Sequence, residues 1–262
     1  MPNERDGIRD DFWTVVAVAT MACVLQSVLH EGLGHGGVAY LSGAHFITLS
    51  TVAEDADIDS RWILAAGTLV NLAAGAVFWM LLRWKRYSPV VRFFLVIAMA
   101  GNLFTGTGYF LFSGVASFGD WAGVIRGLHP QWAWRVGLIV LGAVSYYTAM
   151  LLVKVELKAF RRSDMPRRIR GLAWTPYFTE GVVATLGGLM NPAGLFYVIA
   201  SAIPATMGAN AGMLSLPGMV GRGGDEGEDV GVIRRDWRWI GMAAVLVVLF
   251  IFVLGRGLTW RR

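Results

Sequence analysis

Residues 12–40 read FWTVVAVATMACVLQSVLHEGLGHGGVAY, an apolar run whose far end carries His30, Glu31 and His35. From Phe12 to Leu29 it holds no charged side chain. About 20 such residues cross a hydrocarbon core of roughly 30 Å, so the run predicts a transmembrane helix. No small-residue cleavage site follows it, and it reads as a permanent helix rather than a signal peptide.

Working outward, similar blocks lie at about 61–82, 91–113, 136–157, 177–207 and 238–255. The expected fold is an all-α polytopic membrane protein, a bundle of about six transmembrane helices. The chain is expected to form one integral membrane domain over residues 1–262, with a metal-site half at about 12–125 and C-terminal helices at about 136–255. Composition agrees: of 262 residues, 55% are hydrophobic and 16% charged, whereas soluble domains carry about a quarter charged. The 33 glycines sit inside the apolar blocks, as in closely packed transmembrane helices, and low complexity is excluded. The single cysteine, Cys23, can form no internal disulfide. The net charge of +5 comes from basic residues that flank apolar spans, so nucleic acid is not an expected partner and the lipid bilayer is. Trp79, Trp84, Trp121, Trp132, Trp134, Trp237 and Trp239 fall at span ends, as an aromatic belt does.

Positive charge predicts orientation. Arg83, Lys85, Arg86 and Arg92 follow the second span, and Lys154, Lys158, Arg161, Arg162, Arg167, Arg168 and Arg170 follow the fourth, so those loops are expected in the cytoplasm. The loop with Glu54, Asp55, Asp57 and Asp59, and the loop with Arg126 and Arg135, are expected outside. Six spans would leave both termini cytoplasmic, in agreement with Arg256, Arg261 and Arg262; Arg222, Arg234 and Arg235 in the last outer loop run against this. Two stretches break the helical pattern. His45 to Val52, HFITLSTV, alternates and is β-branched, which predicts a short β-like segment after the first span. Residues 208–235, with Asp225, Glu226, Glu228 and Asp229, read as a flexible polar connector. Asn191 and Pro192 predict a kink within the fifth span.

Ionisable groups at membrane depth cost a few kcal/mol each unless paired or metal-bound, so His30, Glu31 and His35 need a reason to be there. Metal ligation is one: two neutral imidazoles bind zinc, and a neighbouring carboxylate can take a proton from water that the metal activates. Hydrogen bonding to adjacent helices is the plainer alternative. Zinc-binding histidines on a helix are usually four apart, but these are five apart, about 140° around an ideal helix. A one-residue π-bulge at Gly32 and Gly34 would return them to one face. Alternatively Glu31 and His35, four apart, could hold iron.

The chain at this point resembles the site-2 protease family of intramembrane zinc metalloproteases. His30, Glu31, Gly32, Leu33, Gly34, His35 is similar to that family's His-Glu-x-x-His with one extra residue. Ala65 to Leu72, AAGTLVNL, looks like its Gly-Pro-x-x-Asn segment with Thr68 in place of proline, and Gly119 and Asp120 stand where the family has a later aspartate. The resemblance covers about residues 20–125. It implies one zinc ion held by His30, His35 and Asp120, Glu31 as general base, and Asn71, Gly67 and Asn102 as contacts to a transmembrane or membrane-proximal protein substrate.

Depth supports Asp120. At 1.5 Å per residue from Phe12, His30 lies about 27 Å along its helix, in the outer half, a level that Gly67, Asn71 and Asp120 also reach. Glu180 starts its span from the opposite side. Asp120 could equally cap a helix before Trp121, and His45, His129 or Glu180 remain substitutes as third ligand. The leading expectation is a membrane metalloprotease. The competing ones are a non-catalytic metal-binding membrane protein that binds transmembrane partners, and an iron-dependent membrane oxidase using Glu31 and His35.

Overall fold

A computed structural model describes residues 9–51, 53–163, 165, 167–192, 195, 198–221 and 230–261. The chain is mostly helical. The helices are α1 (Phe12–Leu41), α2 (Arg61–Trp84), α3 (Pro89–Ala116), the short α4 (Asp120–Val124), α5 (Gln131–Lys158), α6 (Arg168–Leu189), α7 (Gly212–Gly221) and α8 (Trp237–Leu254). Among the described residues α1, α2, α3, α5 and α8 are long and apolar enough to cross a membrane. The expected β-like segment is present: β1 (Phe46–Leu49) pairs antiparallel with β2 (Glu54–Ala56) and with β3 (Leu258–Arg261), in the order β2-β1-β3.

The starts of these helices are fixed by local chemistry. The Asp11 carboxylate accepts a hydrogen bond from the Thr14 N–H at 2.9 Å, satisfying one of the free donors at the start of α1. Pro89, which has no N–H to satisfy, opens α3. Asp236 accepts from the Arg238 N–H at 2.9 Å and caps α8. Adjacent helices then approach over glycines. A Cβ on Gly75 would meet Leu103, and one on Gly106 would meet Leu72, so α2 and α3 sit too close for any larger residue at either position.

Two expectations about the C-terminal half need correction. The fifth apolar block does not run unbroken from 177 to 207. The helix α6 ends at Leu189, and Met190 to Pro192 form a turn. Residues 198–221 then return antiparallel beside α6: Trp174 donates to the Leu214 carbonyl at 3.2 Å, and Met207 lies against Gly181. Asn191 and Pro192 mark a reversal rather than a kink. Nor is 208–235 a connector throughout. Ala209–Ala211 and α7 are helical because Met213, Leu216 and Val220 recur at helical spacing and enter the core. The acidic stretch with Asp225, Glu226, Glu228 and Asp229, like Arg222 and Arg262, lies outside the described residues.

The helices α1 and α8 run parallel. At one end, Arg168 forks onto Asp10 (Nε to Oδ2 2.8 Å, Nη2 to Oδ1 2.9 Å) and also donates to the Gly231 carbonyl; the Ile233 N–H donates to Asp10 at 2.8 Å, and Arg235 pairs with Asp11 at 3.0 Å. At the other end, the strand after α1 pairs with the strand after α8. The first and last of the long apolar helices therefore run in the same direction. The same geometry moves Arg234 and Arg235 to the end of the bundle that holds Asp10 and Arg168, away from the outer end that their expected loop implied.

Candidate metal centre

The residues Val28–Gly36 of α1 wind as a π-helix, and the Gly37 N–H reaches the Gly32 carbonyl, five residues back. With this periodicity, residues five apart fall on one face, which brings His30 and His35 together. Gly34 and Gly67 make the close approach of α2 feasible: a Cβ on Gly34 would stand 2.5 Å from the Gly67 Cα, and one on Gly67 would stand 2.5 Å from His35 Nε2 and 2.8 Å from His30 Nε2. The glycine at 67 is the floor on which both imidazoles rest.

Asp120 arrives from the chain that follows α3. The end of α3 passes into Ser117 with φ 55° and Gly119 with φ 85°, backbone that turns the chain sharply and starts α4 at Asp120. The Asp120 Oδ2 lies 3.3 Å from His30 Nε2 and 3.4 Å from His35 Nε2, and the two Nε2 atoms are 3.2 Å apart. A tetrahedral ion with ligand bonds of about 2.0–2.1 Å has edges of about 3.3 Å, so the triangle fits such an ion. Among the described residues, these three form the group of acidic and imidazole side chains that could hold a metal.

Hydrogen bonds behind the imidazoles fix which nitrogen faces the site. His35 Nδ1 lies 2.7 Å from the Ile63 carbonyl, which only accepts, so the proton sits on Nδ1 and the Nε2 lone pair points inward. For His30 the chain is longer. Asn102 Nδ2 donates to the Ala98 carbonyl at 2.8 Å; its Oδ1 accepts from Asn71 Nδ2 at 2.7 Å; and Asn71 Oδ1 accepts from His30 Nδ1 at 2.5 Å. A backbone carbonyl thus sets two amide orientations and, through them, one imidazole tautomer. Two bare Nε2 atoms and a carboxylate facing one another repel unless a cation, a metal ion or a proton, lies among them.

Glu31 is buried next to His30 and lines a cavity of about 40 Å³ with Gln26, Tyr109 and Thr206. At about 10–15 Å³ per water, the cavity has room for about three. The Tyr109 ring packs on His30 with centroids 4.9 Å apart.

The remaining expected residues separate as follows. Asn71 and Asn102, expected at the substrate, are fully buried and bond to His30 and to each other. Gly67 touches the imidazoles. His45 and His129 are exposed, and Glu180 is buried on α6, where its backbone carbonyl faces Cys23 at 3.8 Å. Three participants were not expected from the sequence: Tyr109, the Ile63 carbonyl, and Gln26, whose carbonyl accepts from Asn71 Nδ2 at 3.3 Å. Gln26 stands out as an amide in an apolar span, but that amide donates to Thr105 Oγ1 at 2.7 Å, and it is the Gln26 backbone carbonyl that Asn71 meets. A backbone carbonyl carries no signal in the sequence.

No family model matches the chain, and no curated protein or solved structure matches it. The reading of the site therefore rests on its own geometry.

Proposed function

We propose that the chain is an intramembrane zinc metallopeptidase, a divergent relative of the site-2 protease family, that cuts a peptide bond in or next to the membrane. The observation that carries this reading is the convergence of His30 Nε2, His35 Nε2 and Asp120 Oδ2, three lone-pair groups within 3.4 Å, beside the buried carboxyl of Glu31. Zinc at these atoms would supply Lewis acidity, polarising the scissile carbonyl and acidifying a water.

The chain's own groups do the rest. The Glu31 carboxylate takes a proton from the attacking water as the water oxygen bonds to the carbonyl carbon, and returns it to the amide nitrogen, which leaves as an amine when the C–N bond breaks. Asn71 and the Ile63 carbonyl keep the imidazoles in the ligating tautomer. The cavity beside Glu31 has room for that water. The substrate is a transmembrane or membrane-proximal polypeptide, because the site lies at the end of an apolar helix in a bundle whose outer surface is itself apolar.

The same reading assigns topology. We place the α2–α3 and α5–α6 loops in the cytoplasm by their Arg and Lys content, with α6 and residues 198–221 as a helical hairpin between crossing helices. The start of α1 is then cytoplasmic and the β-sheet lies outside.

Glu31→Gln is the test. It keeps shape and hydrogen bonding but removes the base, so purified wild type and variant should both hold about one zinc per chain, and the variant should leave a pool of transmembrane peptides uncut when new termini are counted by mass spectrometry. Iron in the wild-type protein, with zinc absent, would favour an oxidase built on Glu31 and His35. Zinc without cleavage by wild type would favour a binding protein.

A further inference from the structure

A second pocket, of about 500 Å³, opens beside the turn that carries Asp120. Ser113 and Ser117 at the end of α3, Gly119, Arg126, and Gln131 and Arg135 at the start of α5 line it, and none of its lining residues is acidic. The nearest carboxylate by sequence, Asp120, is turned toward the imidazoles. Arg135 is pinned in place: its Nε donates to the Gly114 carbonyl at 3.0 Å and its Nη2 to the Val115 carbonyl at 2.9 Å. The Arg126 side chain is exposed, and among the described residues the Oγ of the fully buried Ser113 has no hydrogen-bond partner. The N-terminus of the 28-residue α5 opens at the pocket edge without a side-chain cap, adding the positive end of its dipole.

The surroundings identify the medium. Trp132 and Trp134, next to Gln131, are 70% and 47% exposed, and Phe118 on the opposite lip is 47% exposed. Exposed tryptophans at the ends of apolar helices sit at lipid headgroup level. We propose that this pocket binds the phosphate group of an anionic membrane lipid. Arg126 presents a planar fork matched to two phosphate oxygens, Ser113 supplies a hydroxyl donor, and the positive field disfavours a zwitterionic headgroup, whose ammonium would be repelled. The proposal does not depend on the peptidase reading, since it uses none of the residues assigned to zinc or to catalysis.

Native mass spectrometry tests it on the full chain extracted from vesicles of equal parts phosphatidylglycerol and phosphatidylcholine. Wild type should retain one phosphatidylglycerol with a preference of about tenfold or more, the scale expected for a charge-assisted contact. Arg126→Glu, at an exposed position that the fold does not need, should abolish the preference, and Ser113→Ala should reduce it several-fold. Inorganic phosphate should fail to displace the lipid. Equal retention of the two lipids by wild type, or an unchanged preference in Arg126→Glu, would overturn the proposal. Displacement by millimolar phosphate would overturn the lipid source and leave a free-anion site.

Discussion

The helices α3 and α8 are both apolar enough to cross a membrane, yet 72% of α3's most apolar window is buried and only 11% of α8's. The order is the reverse of hydropathy: α8 is the most apolar of the five such helices and α3 the least. In water this would be a contradiction. Against lipid it follows directly, because hydrocarbon welcomes Leu and Val on the outside, whereas amides and hydroxyls find partners only inside. The α3 helix carries Asn102, Thr105 and Thr107 inward, together with glycines that admit neighbouring helices; α8 buries Ala243 and Phe250 and little else. High hydropathy identifies a helix that can cross. Its polar residues identify which face is inside.

Glycine substitutions give the largest expected contrast between the two regions. Gly67→Ala would drive a methyl group to 2.5 Å from His35 Nε2 and 2.8 Å from His30 Nε2, displacing both imidazoles, so bound metal should fall to background. Gly241→Ala in α8 meets nothing within 4 Å and should leave metal content and thermal stability unchanged. Metal analysis of both variants side by side would break the comparison if Gly67→Ala retained its metal.

A smaller loss is expected from the polar network that distinguishes α3 from α8. Asn71→Ala removes the acceptor that holds His30 Nδ1 and orphans Asn102 Oδ1, and loss of such an outer partner costs about 10–100-fold in metal affinity. Competition with a chromogenic chelator measures it. An affinity equal to wild type would show that the imidazole orients itself.

The smallest effect belongs to the opposite end of the bundle. Burial raises the Asp11 carboxyl, but its hydrogen bonds to Thr14 and its pairing with Arg235 outweigh burial and hold it below the usual carboxylate value. A depressed carboxyl contributes stability above its unfolded pKa and loses it as pH falls through the folded one. Asp11→Ala should therefore cost about 1 kcal/mol near neutral pH, and the difference from wild type should begin to shrink below about pH 4 and go on shrinking as pH falls through the lowered pKa. Thermal unfolding at several pH values reads this directly.

The sequence made the first half of the molecule legible. The five-residue spacing of His30 and His35, with Gly32 and Gly34 between them, predicts a π-turn, and Val28–Gly36 forms one. Asp120 was legible only as one candidate: its loop follows the third apolar block at the same depth, but the sequence left it equally open as a helix cap, with His45, His129 and Glu180 as substitutes. What was hidden depends on partners far along the chain. Nothing in Asn102 announces that it orients Asn71, and nothing in LTWR, residues 258–261, announces a strand that pairs with β1. Apolar length alone could not distinguish one helix from a reversal at Met190 to Pro192, because a buried return and a crossing look alike by composition.

The pairing of β1 with β3 also sets a clock. Thr48 and Thr259 bond across 211 residues, and Leu49 of β1 packs where a Cβ on Gly36, the last residue of the π-turn, would stand 2.9 Å from it. At about 5–20 residues per second of synthesis, the strand beside the metal-binding turn waits roughly 10 to 40 s for its partner. Through that interval β1 has an open edge, and the two histidines are already made. Completion of the sheet beside the centre is thus tied to the emergence of residues 258–261, and a ribosome that stalls before Leu258 leaves β1 paired with β2 alone.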